Sequence, residues 1–226
     1  MDDLKEMAAR AAVEQIHSGM IIGLGTGSTV FFALKAISQR LKRGEIEDIV
    51  GIPSSHSTEM IAKEMGIPLS DLDQHPEIDL TIDGADEVDG DLNLIKGGGG
   101  ALLKEKIVAQ ASKRNVIIVD ESKLSERVGT KWPVPVEVIP FGLSVELLNF
   151  KKMGIEARIR KKEDGSPFIT DEGNYILDCF FGPLKEPQKI EEMLHGRAAI
   201  VENGLFLKTA SEIIIASYDG IKRLSK

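Results

Sequence analysis

The sequence predicts an α/β protein: a mostly parallel sheet with helices on both faces, and a smaller α+β domain inserted before the chain returns to the first. Three observations predict it. Short apolar runs alternate with helical periodicity over residues 4–120, the pattern of strand–helix–strand units in a parallel sheet. A proline-broken stretch at 132–138 then interrupts the alternation, and beyond it short β-like runs are separated by the turn signals Asp164-Gly165 and Glu172-Gly173-Asn174. A last apolar run at 212–216 reads as a final buried strand belonging to the first domain.

Each element has its own signal. Leu4, Ala8, Ala11, Ala12 and Ile16 recur at three and four residues, an amphipathic helix stopped by Gly19. A buried strand at 20–22 runs into Gly23-Leu24-Gly25-Thr26-Gly27-Ser28-Thr29, and helical spacing resumes through Val30, Phe31, Leu34, Ile37 and Leu41. Strands at 48–52, 79–83 and 115–120 alternate with helices at 57–65 and 101–112. The stretch 132–138 carries two prolines and reads as an edge strand or a linker. Helices at 144–153 and 187–194 are interleaved with strands at 157–161, 168–170, 175–179, 198–202 and 205–208.

Composition narrows the function classes. With 226 residues, 42% hydrophobic and 28% charged, the chain can bury a substantial core. Its 36 acidic and 28 basic residues give a net charge of −8, so a nucleic-acid surface would have to be built against the overall field, and no nucleic-acid partner is expected. No apolar run approaches the roughly 20 residues that span a bilayer, and residues 1–6 lack a secretory pattern, so no membrane partner is expected. A lone cysteine, Cys179, suits a reducing compartment, and the cytoplasm is the expected location. His17, His56, His75 and His195 are scattered without metal-ligand spacing, so no metal site is expected from them.

Chemistry concentrates in two segments. In Asp83-Gly84-Ala85-Asp86-Glu87, Asp83 ends the apolar run of Ile78, Leu80 and Ile82, which places it at a strand's carboxyl end, where open α/β sheets hold ligands. Asp83 and Asp86 accept hydrogen bonds from sugar hydroxyls or shuttle a proton, hold a divalent metal, or merely form an acidic turn; sugar hydroxyls are favoured over a metal because Lys96 close by already supplies a positive charge. Lys96-Gly97-Gly98-Gly99-Gly100 then brings a cation and bare backbone N–H groups to the start of a helix, which favours an anion. On that helix Leu103, Ile107 and Ala111 form a stripe, so Glu105 is expected roughly opposite, facing water or a cleft. The loop from Gly23 to Thr29 fits neither a dinucleotide fingerprint, since Ser28 stands where a glycine is needed, nor a P-loop. It reads equally as a phosphate cup of N–H groups with the hydroxyls of Thr26, Ser28 and Thr29, or as a tight turn with Ser28 or Thr29 capping the helix. Lys123, past the strand at 115–120, reaches the same cleft or is a surface lysine.

Taken together, these segments resemble the type A ribose-5-phosphate isomerases. The glycine loop, Asp83-Gly84-Ala85-Asp86-Glu87, the 96–106 segment, Val119-Asp120-Glu121-Ser122-Lys123, Pro135-Val136-Glu137-Val138-Ile139-Pro140, Ile169-Thr170-Asp171-Glu172-Gly173-Asn174 and Gly204-Leu205-Phe206 all fall in that family's order. The resemblance implies a Rossmann-like catalytic domain over 1–130 and 207–226 and a ferredoxin-like α+β domain over 131–206. It implies interconversion of ribose 5-phosphate and ribulose 5-phosphate with no cofactor and no metal, by a homodimer or homotetramer. It implies that Glu105 is the proton acceptor, with Asp83 and Lys96 also catalytic. Substrate contacts carried over by position are Thr26, Gly27, Ser28, Thr29, Asp83, Gly84, Ala85, Asp86, Lys96, Gly97, Gly98, Gly99 and Lys123. Lys104 stands where the family often has Arg, and Ala198-Ala199-Ile200-Val201 replaces a more usual Pro-Gly-Val-Val. The competing expectations are a sugar-phosphate deaminase or lactonase, for which no catalytic histidine motif is found, and a sugar-phosphate sensor, which would need a DNA-binding segment ahead of the glycine loop.

Overall fold

A computed structural model describes residues 1–225. In chain order its first half runs α1 (Asp2–Val13), β1 (Ile21–Leu24), α2 (Ser28–Lys42), β2 (Val50–Pro53), α3 (His56–Glu64), β3 (Leu80–Asp83), β4 (Glu87–Val88), β5 (Leu94–Ile95), α4 (Leu102–Gln110) and β6 (Asn115–Asp120). The second half runs β7 (Val134–Val138), α5 (Leu143–Lys152), β8 (Glu156–Ile159), β9 (Tyr175–Phe180), α6 (Pro187–His195), β10 (Ile200–Asn203), β11 (Leu205–Phe206), β12 (Glu212–Ser217) and β13 (Gly220–Ser225). The chain forms two compact units: Met1–Ala85 with Lys104–Leu124 and Lys208–Lys226, and Asp86–Leu103 with Ser125–Leu207.

The first unit is the expected α/β sheet, in the order β13-β12-β6-β3-β1-β2. Strands β2, β1, β3, β6 and β12 are parallel, and β13 closes one edge antiparallel to β12. That edge strand is an addition to the expected fold, because the sequence reading ends on β12. Alternation along the strands sorts the core by face. Ile22, Leu24, Leu80, Ile82, Val116, Ile118, Ile214 and Ala216 pack with α1 and α2 residues such as Ala8, Ala12, Val30 and Ile37. Residues one position away, including Ile21 and Val50, pack with Val108 and Ala111 on the side of α4. The helices on the two sides explain why these strands read as continuous apolar runs. Gly23 lets α4 approach: a Cβ there would stand 1.8 Å from Thr81 Oγ1 and 2.8 Å from Val108 Cγ1.

The second unit contains a four-stranded antiparallel sheet in the order β10-β7-β9-β8, built from a β-α-β-β-α-β run, the ferredoxin-like arrangement. Val134, Val136 and Val138 of β7 pack with Phe150 of α5 and Leu194 of α6. β7 is therefore an interior strand, flanked by β10 and β9, and not the edge strand or linker its prolines suggested. The ladder tolerates Pro135 because its paired positions with β10 stop at Val136; beyond them the Pro135 carbonyl accepts from the Gly204 N–H at 2.7 Å, and no donor is asked of the ring nitrogen. The run 168–170 forms only an isolated bridge, Ile169 to Tyr175, in place of the expected strand. A second, three-stranded sheet has the order β11-β5-β4; β11 falls in the expected strand at 205–208, while β4 and β5 went unread because they are two residues long.

Glu137 of β7 is fully buried, and its Oε1 accepts from Thr170 Oγ1 at 2.8 Å and Asn174 Nδ2 at 2.9 Å. It thereby pins the turn in which Asn174 N–H donates to Thr170 Oγ1. Burial pushes the Glu137 carboxyl above the ordinary glutamate value, against the lowering effect of the Asn174 and Thr170 hydrogen bonds. The folded chain thus holds a proton that the unfolded chain releases over a window running upward from the ordinary glutamate range, and stability falls as pH rises through it. Glu137→Gln keeps the Oε1 acceptor and removes the titration. Its stability relative to the native chain should rise between pH 4 and pH 8, read by denaturant melts at each pH; parallel curves would refute this.

Candidate active site

Sheet topology locates the site in the first unit. β1 lies between β2 and β3, so the connection leaving β1 goes to one side of the sheet while the path leaving β3 goes to β6 on the other. Such a switch point opens a crevice at the carboxyl ends of the two strands. The carboxyl end of β1 is the glycine loop and that of β3 is Asp83.

Asp83 is 3% exposed, and its Oδ1 accepts from Thr26 N–H at 3.1 Å and Gly84 N–H at 2.7 Å. Gly25 makes this possible, since a Cβ at that position would stand 2.1 Å from Asp83 Oδ1. Thr26 uses its hydroxyl elsewhere: Oγ1 lies 2.9 Å from Ser54 Oγ, 2.8 Å from Ser55 Oγ and 3.1 Å from Thr58 Oγ1, tying the glycine loop to the start of α3. Of the three hydroxyls expected in the cup, this one belongs to that internal cluster. Gly27, at φ 114°, is the N-cap of α2, and no side chain caps the helix. Neither Ser28 nor Thr29 plays the capping role that the plain-turn reading gave them; both are in the first turn, with no acidic residue beside them. The amino end of α2 therefore presents N–H groups and the positive end of its dipole next to an exposed Ser28 and a half-buried Thr29. Gly84 and Ala85 follow β3, half-buried.

Glu105 departs from its expected place. The buried residues of α4 are Leu102, Glu105, Lys106 and Val108, whereas Ile107 is 43% exposed. The stripe of Leu103, Ile107 and Ala111 is thus not the packing face, and Glu105, 4% exposed, is on the inward side of the helix. Inward means the sheet face carrying Gly23 and Thr81, because Val108 approaches Gly23 and the Thr81 Oγ1 is 2.6 Å from Ser112 Oγ at the end of α4. Alternation along β3 puts Asp83 on the Thr81 face. Two buried carboxylates, Asp83 and Glu105, therefore share one face of the first unit. Lys106, also 4% exposed, was not singled out from the sequence. Lys123 is half-buried at the end of a 3-10 turn after β6, in which the Ser122 N–H donates to Asp120 Oδ1.

The second unit carries Asp86, Lys96 and the glycines. Lys96 follows β5, is 3% exposed, donates its N–H to the Gly204 carbonyl at 2.9 Å and sets Nζ 5.5 Å from the Phe206 ring centroid, within cation–π range. Asp86 Oδ2 accepts the Gly98 N–H at 2.7 Å, and Gly100 N–H donates back to the Gly97 carbonyl at 3.0 Å. Glu87 is fully buried and accepts the N–H groups of Gly129, Thr130, Lys131 and Trp132. Arg160 holds the Gly97 and Gly98 carbonyls, a role the expected strand at 157–161 does not reveal in sequence. Among the described residues, no group of three His, Cys, Asp or Glu side chains is arranged to hold a metal ion, and no helix is long and apolar enough to cross a membrane.

Comparison with known proteins shows the family. The sequence model of ribose 5-phosphate isomerase A (phosphoriboisomerase A) matches residues 50–220. Ribose-5-phosphate isomerase A of Desulfatibacillum aliphaticivorans is 53% identical over 223 residues, 99% of this chain and 97% of that protein. A probable chloroplastic ribose-5-phosphate isomerase of Arabidopsis thaliana is 46% identical over 231 residues, covering 100% and 84% of the two chains. Among solved structures, the ribose 5-phosphate isomerase of Plasmodium falciparum superposes with a TM-score of 0.96 at 43% identity, over 100% of this chain and 99% of that one. A D-ribose-5-phosphate isomerase in complex with phospho-erythronic acid also gives 0.96, at 40% identity over 99% and 98%. With the switch-point site, the buried carboxylates and full-length similarity in hand, the chain belongs to the ribose 5-phosphate isomerase A family.

Proposed function

We propose that this chain interconverts ribose 5-phosphate and ribulose 5-phosphate through an enediolate, with the Glu105 carboxylate moving the proton between C2 and C1. The observation that carries the reading is Glu105 itself: a carboxylate 4% exposed on the inward side of α4, on the sheet face that also carries Asp83. Burying a carboxylate is costly unless it is paired or hydrogen-bonded, and this one is held on the face of the sheet where the switch-point crevice opens. Removing a proton beside a carbonyl and returning it to the neighbouring carbon suits one positioned carboxylate, which contributes typically ~10²–10⁴-fold. In this reading Asp83, fixed by two amides, assists ring opening, and the second oxygen of Asp86 accepts a sugar hydroxyl. Lys96 and the N–H groups of Gly97 and Gly99 offset the oxyanion, Lys123 contacts the substrate, and the amino end of α2 receives the phosphate. A deaminase, lactonase or sensor is not favoured, since the relatives above are named as isomerases. A homodimer or homotetramer belongs to the reading, supported by the exposed stripe of Phe141, Val145 and Leu148 at 96%, 60% and 53% exposure; sedimentation of the purified chain checks it.

The test is turnover of ribose 5-phosphate in EDTA-containing buffer by the native chain and by the Ser28→Ala/Thr29→Ala double variant. The native chain should turn over. The variant should raise KM far more than it lowers kcat, by roughly 1–3 kcal/mol per hydrogen bond removed from the phosphate, and should discriminate less between ribose 5-phosphate and ribose. An inactive native chain overturns the reading. Unchanged KM with collapsed kcat would instead put the reacting end of the sugar at α2.

A further inference from the structure

Arg160 lies just past β8 in the second unit, with its side chain 13% exposed. Its Nη1 donates to the carbonyl oxygens of Gly97 at 2.5 Å and Gly98 at 3.1 Å. Its Nε donates to Asp178 Oδ2 at 3.1 Å and its Nη2 to Asp178 Oδ1. The planar guanidinium fork can serve a carboxylate along one edge and two carbonyls from a single nitrogen on the other, which a lysine ammonium cannot.

A trans peptide unit is planar, so its C=O and N–H point in opposite directions. Holding the Gly97 carbonyl turns the Gly98 N–H away from Arg160, and that N–H is indeed on Asp86 Oδ2 at 2.7 Å. Holding the Gly98 carbonyl turns the Gly99 N–H away from Arg160 by the same rule. Four consecutive glycines have no side chains to restrict their dihedral angles, so these peptide planes keep one orientation only if something outside the run fixes them. Arg160 reaches the run a second way: its carbonyl accepts the Phe168 N–H at 2.9 Å, and the Phe168 ring covers Gly100 so closely that a Cβ there would stand 2.4 Å away.

We propose that Arg160, itself held by Asp178, is a positioning residue that fixes the Gly98–Gly99 peptide so that the Gly99 N–H meets the developing enediolate oxygen. The proposal rests on the isomerase reading above, in which the glycine run contacts substrate. It concerns an interaction made in the transition state, so its loss falls on kcat and on ligands that carry negative charge where the enediolate forms.

The test compares the native chain with Arg160→Met, Arg160→Lys and Asp178→Asn, using two inhibitors. One is a four-carbon sugar-acid phosphate, whose carboxylate mimics the enediolate; the other is ribitol 5-phosphate, which is uncharged at that end. In Arg160→Met, kcat should fall about 10²-fold, the scale of a misplaced catalytic donor, with KM within about 3-fold. The sugar-acid phosphate should weaken by a similar factor while ribitol 5-phosphate keeps its affinity. Arg160→Lys should recover only part of the loss, and Asp178→Asn should follow the same pattern more weakly. If Arg160→Met does not fold, Arg160→Lys carries the same two-inhibitor comparison. Equal weakening of both inhibitors would make Arg160 merely structural and overturn the proposal, as would unchanged kcat. An inactive native chain would overturn the isomerase reading instead.

Discussion

Glu105→Gln should lower kcat by at least about 10²-fold while ribose 5-phosphate binding stays within a few-fold, because an amide of the same shape fills the site but cannot take a proton. Glu105 is 4% exposed on a helix whose other inward residues include Leu102 and Val108. A Gln there keeps the volume and one acceptor oxygen but has no carboxylate to take a proton. Steady-state kinetics with a direct binding measurement separate the two effects. Near-native turnover would remove Glu105 from the role of base.

Gly25→Ala should be nearly as damaging, for a reason of space. The added Cβ would stand 2.1 Å from Asp83 Oδ1 and 2.6 Å from the Asp83 Cα, so a side-chain rotation cannot relieve the clash and the end of β3 must shift. That shift breaks the geometry by which the Thr26 and Gly84 amides hold Asp83. We expect kcat to drop by about 10²-fold, as for an ångström-scale displacement of a catalytic group, and stability to fall by about 1–3 kcal/mol, as for overpacking a filled site. Gly90→Ala is the control, since nothing lies within 4 Å of a Cβ there. A Gly25→Ala chain with native melting temperature and turnover would show that Asp83 needs no such close approach.

Much of this was legible in the sequence where burial is apolar. β6, Asn115–Asp120, has six consecutive buried residues and was read at those bounds. Asp83 was placed at a strand's carboxyl end because Leu80 and Ile82 point to the strand, and the glycine loop because Ile21 and Ile22 lead into it. α4 was misread because a periodicity argument takes inward residues to be apolar, and this helix turns Glu105 and Lys106 inward. β13 went unread because Lys222 and Arg223 are exposed on it, charges that suit a sheet edge and mask a strand. Pro135 looked like an edge marker, yet the place where a ladder hydrogen bond is dispensable is set by where β10 ends, a feature of pairing between distant segments. Arg160 was invisible for a similar reason: only the fold brings it to Gly97 and Gly98.

The most direct test of Glu105 as the proton carrier is the fate of the hydrogen at C2. Ribose 5-phosphate deuterated at C2 is incubated with the native chain and with Glu105→Gln, and loss of deuterium from that carbon, to C1 or to solvent, is followed by NMR. The native chain should strip C2 of deuterium at least as fast as it forms ribulose 5-phosphate, and Glu105→Gln should lose both processes by the same factor, at least about 10²-fold, while still binding the sugar phosphate. Removal of C2 deuterium by Glu105→Gln at the native rate would contradict the account, because another group would then be the base.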